Sequence, residues 1–187
     1  RFKIKNLILS KNVVYEGLPS GDILKLENLK SCSTKAYTLM KNLLHVGPGI
    51  CFIYCGRINL GIRMIEETFI TNGITPYDSQ YPEDMCRCYY CGKYKNEANH
   101  DLHGGFAKST YVSITGKNES EDKNQNAINL LSILNDLDNE HGNHIKFILG
   151  SSVISEGLNI MNLKQIHIFD GHLNMTKIEQ AIGRGVR

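Results

Sequence analysis

The sequence predicts an α/β fold: a parallel sheet with helices on both faces and a small metal-binding insert. Three observations carry this expectation. Short apolar runs alternate with amphipathic helical patterns, as β-α units require. A segment rich in cysteine and histidine interrupts them. The chain closes on Gln-x-x-Gly-Arg-x-x-Arg, which as a helix carries one amide and two guanidiniums on a single face.

Residues 1–30 hold a turn cluster, Gly17-Leu-Pro-Ser-Gly21, and little periodicity; they are expected to be an irregular lead-in to one domain over 31–187. Ser33 caps a helix whose Ala36, Leu39, Met40, Leu43 and Leu44 follow helical spacing, and Gly47-Pro-Gly49 stops it. Ile50-Cys-Phe-Ile-Tyr54 is apolar throughout, as expected of a strand covered on both faces. A helix from about 59 to 71 follows, with Gly73 as its stop. The insert occupies about 77–108. Thr110–Ile114 reads as the second strand. Ser120, Glu121 and Asp122 open a helix carrying Ala127, Leu130, Leu131, Leu134 and Leu137. Ile145–Leu149 and Gln165–Phe169 supply the remaining strands.

A length of 187 residues can bury a real core. Net charge is +2 and pI about 8.2, so no whole-chain field demands a nucleic-acid partner and any such site must be local. The chain lacks an apolar run of roughly eighteen residues, and Arg1-Phe-Lys-Ile-Lys5 is unlike a signal peptide. A soluble intracellular protein with no membrane partner is expected. Cys32, Cys51 and Cys55 sit in or beside apolar segments and are expected to be buried free thiols.

The other three cysteines cluster. Cys86-Arg-Cys-Tyr-Tyr-Cys-Gly92, followed by His100-Asp-Leu-His103, offers five candidate ligands. Cys-x-x-Cys-Gly turns two thiolates toward one metal, and its glycine lets backbone amides approach sulfur. Cys88, Cys91, His100 and His103 would make a closed tetrahedral zinc site, with Cys86 able to replace either histidine. A redox disulfide and unligated surface residues are the competing readings. The expected role of zinc is structural, because no general base is evident nearby.

The C-terminal pattern carries the functional expectation. Thr176 can cap a helix and Glu179 completes a capping box. Gln180, Arg184 and Arg187 then share one face suited to polyphosphate. This segment resembles the last signature of superfamily 2 helicases and translocases. Gly150–Ile160 resembles the signature that precedes it, and His167–Met175 the connector between them. Leu18–Leu29, Ser33-Thr-Lys35 and Gly49–Gly61 are similar to the helicase-type ATPases of large cytoplasmic DNA viruses. Those are the early transcription factor small subunit and nucleoside triphosphatase I of poxviruses, with asfarvirus and mimivirus counterparts. The resemblance runs over roughly 18–187.

It implies a second RecA-like domain, with ATP held between it and a first RecA-like domain of the same protein. Arg184 and Arg187 would then act as fingers at the γ-phosphate, supported by Gln180. Gly157, Asn159 and Glu156 match the segment that approaches the nucleotide sugar. Ser151 and Ser152 match contacts to nucleic-acid backbone, although they also suit an ordinary strand-end turn. Thr115 and Gly116 fall where related enzymes hold the backbone of the tracking strand, and Arg57, after the first strand, would contact DNA phosphate; solvated loop residues are the alternative. Glu156 departs from the basic residue common in RNA helicases, which argues against an RNA substrate and for a Snf2-like translocase; double-stranded DNA is the expected partner. A Cys-x-x-Cys pattern followed by His occurs at this position in the viral ATPases too.

Gly-x-x-x-x-Gly-Lys and Asp-Glu are absent, so the phosphate loop and magnesium ligands are expected from the first domain. This stretch alone is expected to be inactive. The implied function is a DNA-dependent motor in viral early transcription, in virion and host cytoplasm. A non-catalytic scaffold docking RNA polymerase through the insert is the alternative.

Overall fold

A computed structural model describes residues 8–9, 13–14, 20–114, 129–151, 160–170, 179 and 183. Ile8–Leu9 (β1) and Val13–Val14 (β2) pair antiparallel, apart from the main sheet. Then follow Leu26–Cys32 (α1), Thr34–Leu44 (α2), Ile50–Tyr54 (β3), Arg63–Thr71 (α3), Thr75–Pro76 (β4) and Thr110–Ile114 (β5). A helical stretch over 129–134 precedes Phe147–Gly150 (β6) and Leu163–Ile168 (β7).

The main sheet has the order β4-β5-β6-β3-β7, and every pairing is parallel. All carboxyl ends therefore lie along one edge and all amino ends along the other. Side-chain alternation along β3 divides the core. Cys51, Ile53 and Cys55 join Phe147, Leu149 and Tyr111 under α1, α2 and α3. Ile50, Phe52 and Tyr54 join Ile148 and Val112 under Leu130, Leu131 and Leu134. Both faces of β3 are covered, which is why it reads as an unbroken apolar run.

Ser33 caps α2 as expected, its hydroxyl accepting from the Ala36 amide at 3.2 Å. Gly73 ends α3 with φ +80°. The start of α3 is wider than expected: Ile58–Ile62 form a π-helical turn. A Cβ on Gly61 there would collide with the Cys55 sulfur.

Two expectations are corrected. The lead-in is not irregular up to residue 30, because Leu26–Cys32 is a helix and Leu24 and Leu29 are buried in the core. Its entry is held from a distance. The buried Asn72 side chain accepts from the Leu26 amide and donates to the Leu24 carbonyl, both at 2.8 Å. Cys32, expected to be buried, is exposed at the end of this helix; Cys51 and Cys55 are buried. Among the described residues no helix is long and apolar enough to cross a membrane.

Candidate metal centre and carboxyl-edge site

Parallel neighbours need a crossover, usually a helix. Between β4 and β5 the cysteine-histidine insert provides it. The insert is built from turns and short bridges, Arg87 pairing with Tyr94 and Cys88 with Lys108. These bring Cys88, Cys91, His100 and His103 together, with one donor atom from each lying within 4.8 Å of all the others. Cys88 Sγ lies 3.9 Å from His103 Nε2, and Cys91 Sγ 3.7 Å from His100 Nδ1. Tetrahedral zinc with ordinary bond lengths would set sulfur and nitrogen about 3.6 Å apart. The donor set and its spacing fit a metal ion.

The surroundings fit as well. His100 turns Nδ1 toward the cluster and its Nε2 to the Tyr94 carbonyl at 3.2 Å, the outer bond that fixes a ligating tautomer. His103 stacks on Tyr90 with centroids 4.6 Å apart, and Phe106 meets His100 edge-on. Burial pushes the Cys91 thiol up, with the Lys93 amide opposing and the neighbouring Cys88 adding to the rise. Cys86 stands outside the group. The turn Glu83–Met85 leaves its buried thiol donating to the Pro82 carbonyl at 3.2 Å.

This knuckle is fastened to the amino-terminal edge of the sheet. Arg87 Nε donates to the Asn72 carbonyl and Nη1 to the Gly92 carbonyl, each at 2.8 Å, and its guanidinium lies over the Tyr94 ring. Gly92 has φ +69°, and a Cβ there would strike the Leu44 carbonyl at the end of α2. Lys146, just before β6, is only 2% exposed. Its ammonium donates to the carbonyls of Val46 at 3.1 Å, Gly47 at 3.0 Å and Tyr89. Burial pulls its pKa down to about 8.

The carboxyl-terminal edge differs in kind. Ser151 directly follows β6; it is 2% exposed, and its hydroxyl has no partner among the described residues. The Tyr54 hydroxyl at the end of β3 is likewise buried without a partner there. Cys55 donates its thiol to Asp170 at 3.0 Å, and Lys35 from the first turn of α2 reaches the other Asp170 oxygen at 2.8 Å. Burial pushes the Cys55 thiol up to about 12, and the Asp170 carboxylate adds to that. For Asp170, burial works upward, but the bonds from Cys55 and Lys35 prevail and hold it below the usual carboxylate range. Arg57 is exposed beside this group.

Of the residues expected at the nucleotide or nucleic acid, Ser151 and Arg57 are described, and both follow carboxyl ends of strands. Thr115, Gly116, Ser152, Glu156, Gly157, Asn159, Gln180, Arg184 and Arg187 lie outside the described residues. Glu179 and Gly183, within the last segment, are both helical and exposed. Lys35, Tyr54 and Asp170 at one edge, and Arg87 and Lys146 at the other, carry no role that motif spacing assigns. One signal is in the sequence: Lys146 is a lone charge within the apolar run Ile145–Leu149.

The description of the helicase conserved C-terminal domain matches residues 85–187, more than half of the chain. The chain belongs to this helicase family. A candidate ATP-dependent RNA helicase of Acanthamoeba polyphaga mimivirus is 30% identical over 190 residues, matching 90% of this chain and 16% of its own length. The early transcription factor 70 kDa subunit of Melanoplus sanguinipes entomopoxvirus is 28% identical over 163 residues, 87% of this chain and 23% of that protein. An early transcription factor large subunit homolog of African swine fever virus is 28% identical over 178 residues, 90% of this chain and 15% of that protein. The chain thus spans less than a quarter of each of these relatives.

Proposed function

We propose that this helicase domain is the C-terminal lobe of an ATP-driven motor that moves along double-stranded DNA in viral early transcription, in virion and host cytoplasm. The observation that carries the reading is a convergence. Segments resembling the helicase signatures leave the carboxyl ends of β6 and β7, where open parallel sheets bind their ligands. Arg184 and Arg187 serve as fingers at the γ-phosphate, and Gln180 supports them. Gly157, Asn159 and Glu156 line the sugar side. Ser151, Ser152, Thr115, Gly116 and Arg57 serve the nucleic-acid backbone. An N-terminal RecA-like lobe supplies the phosphate loop and the magnesium ligands. Zinc held by Cys88, Cys91, His100 and His103 is structural, since the knuckle sits on the opposite edge from the carboxyl ends of β6 and β7.

Finger arginines act where charge shifts in the transition state, so their loss is felt in turnover more than in binding. In the full-length protein, Arg184→Ala or Arg187→Ala should lower DNA-stimulated ATP hydrolysis about 10³-fold or more. ATP binding, followed with a fluorescent analogue, should largely persist. Unchanged turnover refutes the assignment. DNA binding should be sequence-independent and weaken with salt.

One observation favours a second reading, a scaffold that docks RNA polymerase. The insert exposes Leu102 at 88%, Met85 at 62% and Tyr90 at 40%. Full ATPase activity in a Leu102→Ser, Met85→Ser variant that no longer binds polymerase would assign docking to the insert while leaving the motor intact. Absence of any nucleic-acid-stimulated hydrolysis in the full-length protein would favour the scaffold outright.

A further inference from the structure

We propose that Lys146 couples metal loading in the knuckle to the folding of the sheet, so that the knuckle is an internal clasp of the motor lobe. The inference rests on the metal-site reading above. Tyr89 lies between the two ligand cysteines, and its carbonyl is one of the three acceptors of the Lys146 ammonium. The other two, Val46 and Gly47, belong to the turn that leads from α2 into β3. One buried cation thus joins the metal loop, the entry of β3 and the start of β6.

A buried ammonium must keep its acceptors, because losing one leaves a charged donor unsatisfied in a place water does not reach. The metal fixes the Cys88–Cys91 turn and with it the Tyr89 carbonyl. If the metal leaves and the turn relaxes, Lys146 loses an acceptor at the amino end of β6. The knuckle has further anchors at this edge. Its Gly92 presses on the Leu44 carbonyl, and Arg87 bridges the end of α3 to the Gly92 carbonyl. Since the insert is also the crossover from β4 to β5, its disorder cannot be confined to a surface appendage. Lys146 touches no ligand atom and is a positioning residue.

Cobalt(II) titration of the full chain tests this, with absorption reporting the tetrahedral Cys2His2 site and thermal unfolding followed with and without metal. Outer-sphere contacts typically govern metal affinity by about 10- to 100-fold. Lys146→Met should lose cobalt affinity by about tenfold or more, keep the same spectrum at saturation, and show a smaller metal-dependent rise in Tm at the same free metal concentration. Lys146→Arg, which keeps a cationic donor, should recover much of both. Leu134→Ala, in the core beneath the other face, should lower Tm yet leave cobalt affinity within about twofold. Wild-type affinity and an undiminished metal-dependent Tm rise in Lys146→Met overturn the coupling while leaving the metal site standing. A wild-type chain without the tetrahedral spectrum sinks the site itself and the coupling with it. Should Lys146→Met not fold, amide exchange over Phe147–Gly150 in the wild type decides: protection lost on chelation supports the clasp, and unchanged protection rejects it.

Discussion

The two edges of the same sheet are finished in opposite ways. At the amino-terminal edge the insert closes against the core: Lys146 has three carbonyls, Arg87 has two, and Gly92 leaves no room for a methyl group, although His103 Nδ1 in the metal cluster is buried without a partner among the described residues. At the carboxyl-terminal edge, Tyr54 and Ser151 bury hydroxyls that find no partner among the described residues, and Arg57 stands in solvent. Satisfied polar groups hold a fold together, whereas unsatisfied ones cost stability and persist where something else needs them. The difference teaches where this domain's own groups close a sheet edge, and it accords with the proposal that the other edge meets a ligand.

The largest expected break lies in the knuckle. Cys88→Ser or Cys91→Ser should remove metal and, with it, folding free energy on the order of 10 kcal/mol, so the insert should lose exchange protection outright. Cys86→Ser should retain one equivalent of metal and cost only about 1–2 kcal/mol, since its thiol meets a carbonyl and no ligand. Metal analysis of the purified variants separates the two outcomes; equal metal loss in all three would return Cys86 to the ligand set.

Next comes Gly92→Ala. It forces a side chain into a left-handed conformation and against the Leu44 backbone, and should cost more than about 2 kcal/mol in denaturant unfolding. An effect below half that size would mean that α2 and the knuckle separate easily.

The carboxyl edge should answer differently. Tyr54→Phe and Ser151→Ala each remove a hydroxyl that has no partner among the described residues, so stability should stay level or rise by up to about 1 kcal/mol. Nucleic-acid-stimulated hydrolysis by the full-length protein should nevertheless fall for Ser151→Ala. Lower stability in both variants would show that these hydroxyls are already engaged, and would erase the contrast between the edges.

The smallest effect concerns pH. Asp170 is held below the usual carboxylate range in the fold, so its contribution is present above the unfolded value of about 3.9 and is lost as pH falls through the folded value. Because Lys35 is half exposed, that contribution should be under about 1 kcal/mol. Asp170→Asn should flatten this part of the acid limb in unfolding measured between about pH 5 and pH 2.5.

Much of this was legible in the residues alone. β3 reads as a doubly covered strand because every residue in it is apolar, and alternation then sends Cys51 and Phe52 to opposite faces whatever the topology. The ligand set was narrowed to five by spacing. Spacing could not dismiss Cys86, because two residues from Cys88 it might have faced the same way; the turn at Glu83–Met85 directs it elsewhere. α1 escaped notice because its order comes from Asn72, 46 residues from the amide it holds.

Local pattern therefore determined the layered α/β class, the helix caps and stops, the cysteine-histidine cluster and the family signatures, since each depends on residues a few positions apart. Only tertiary structure decided that the insert is the crossover between parallel strands, that Lys146 answers to residues 46, 47 and 89, and that Asp170 gathers Cys55 and Lys35. The reason is physical: a buried charge is tolerable only where distant backbone and side-chain groups converge on it, and that convergence is a property of how the strands are ordered.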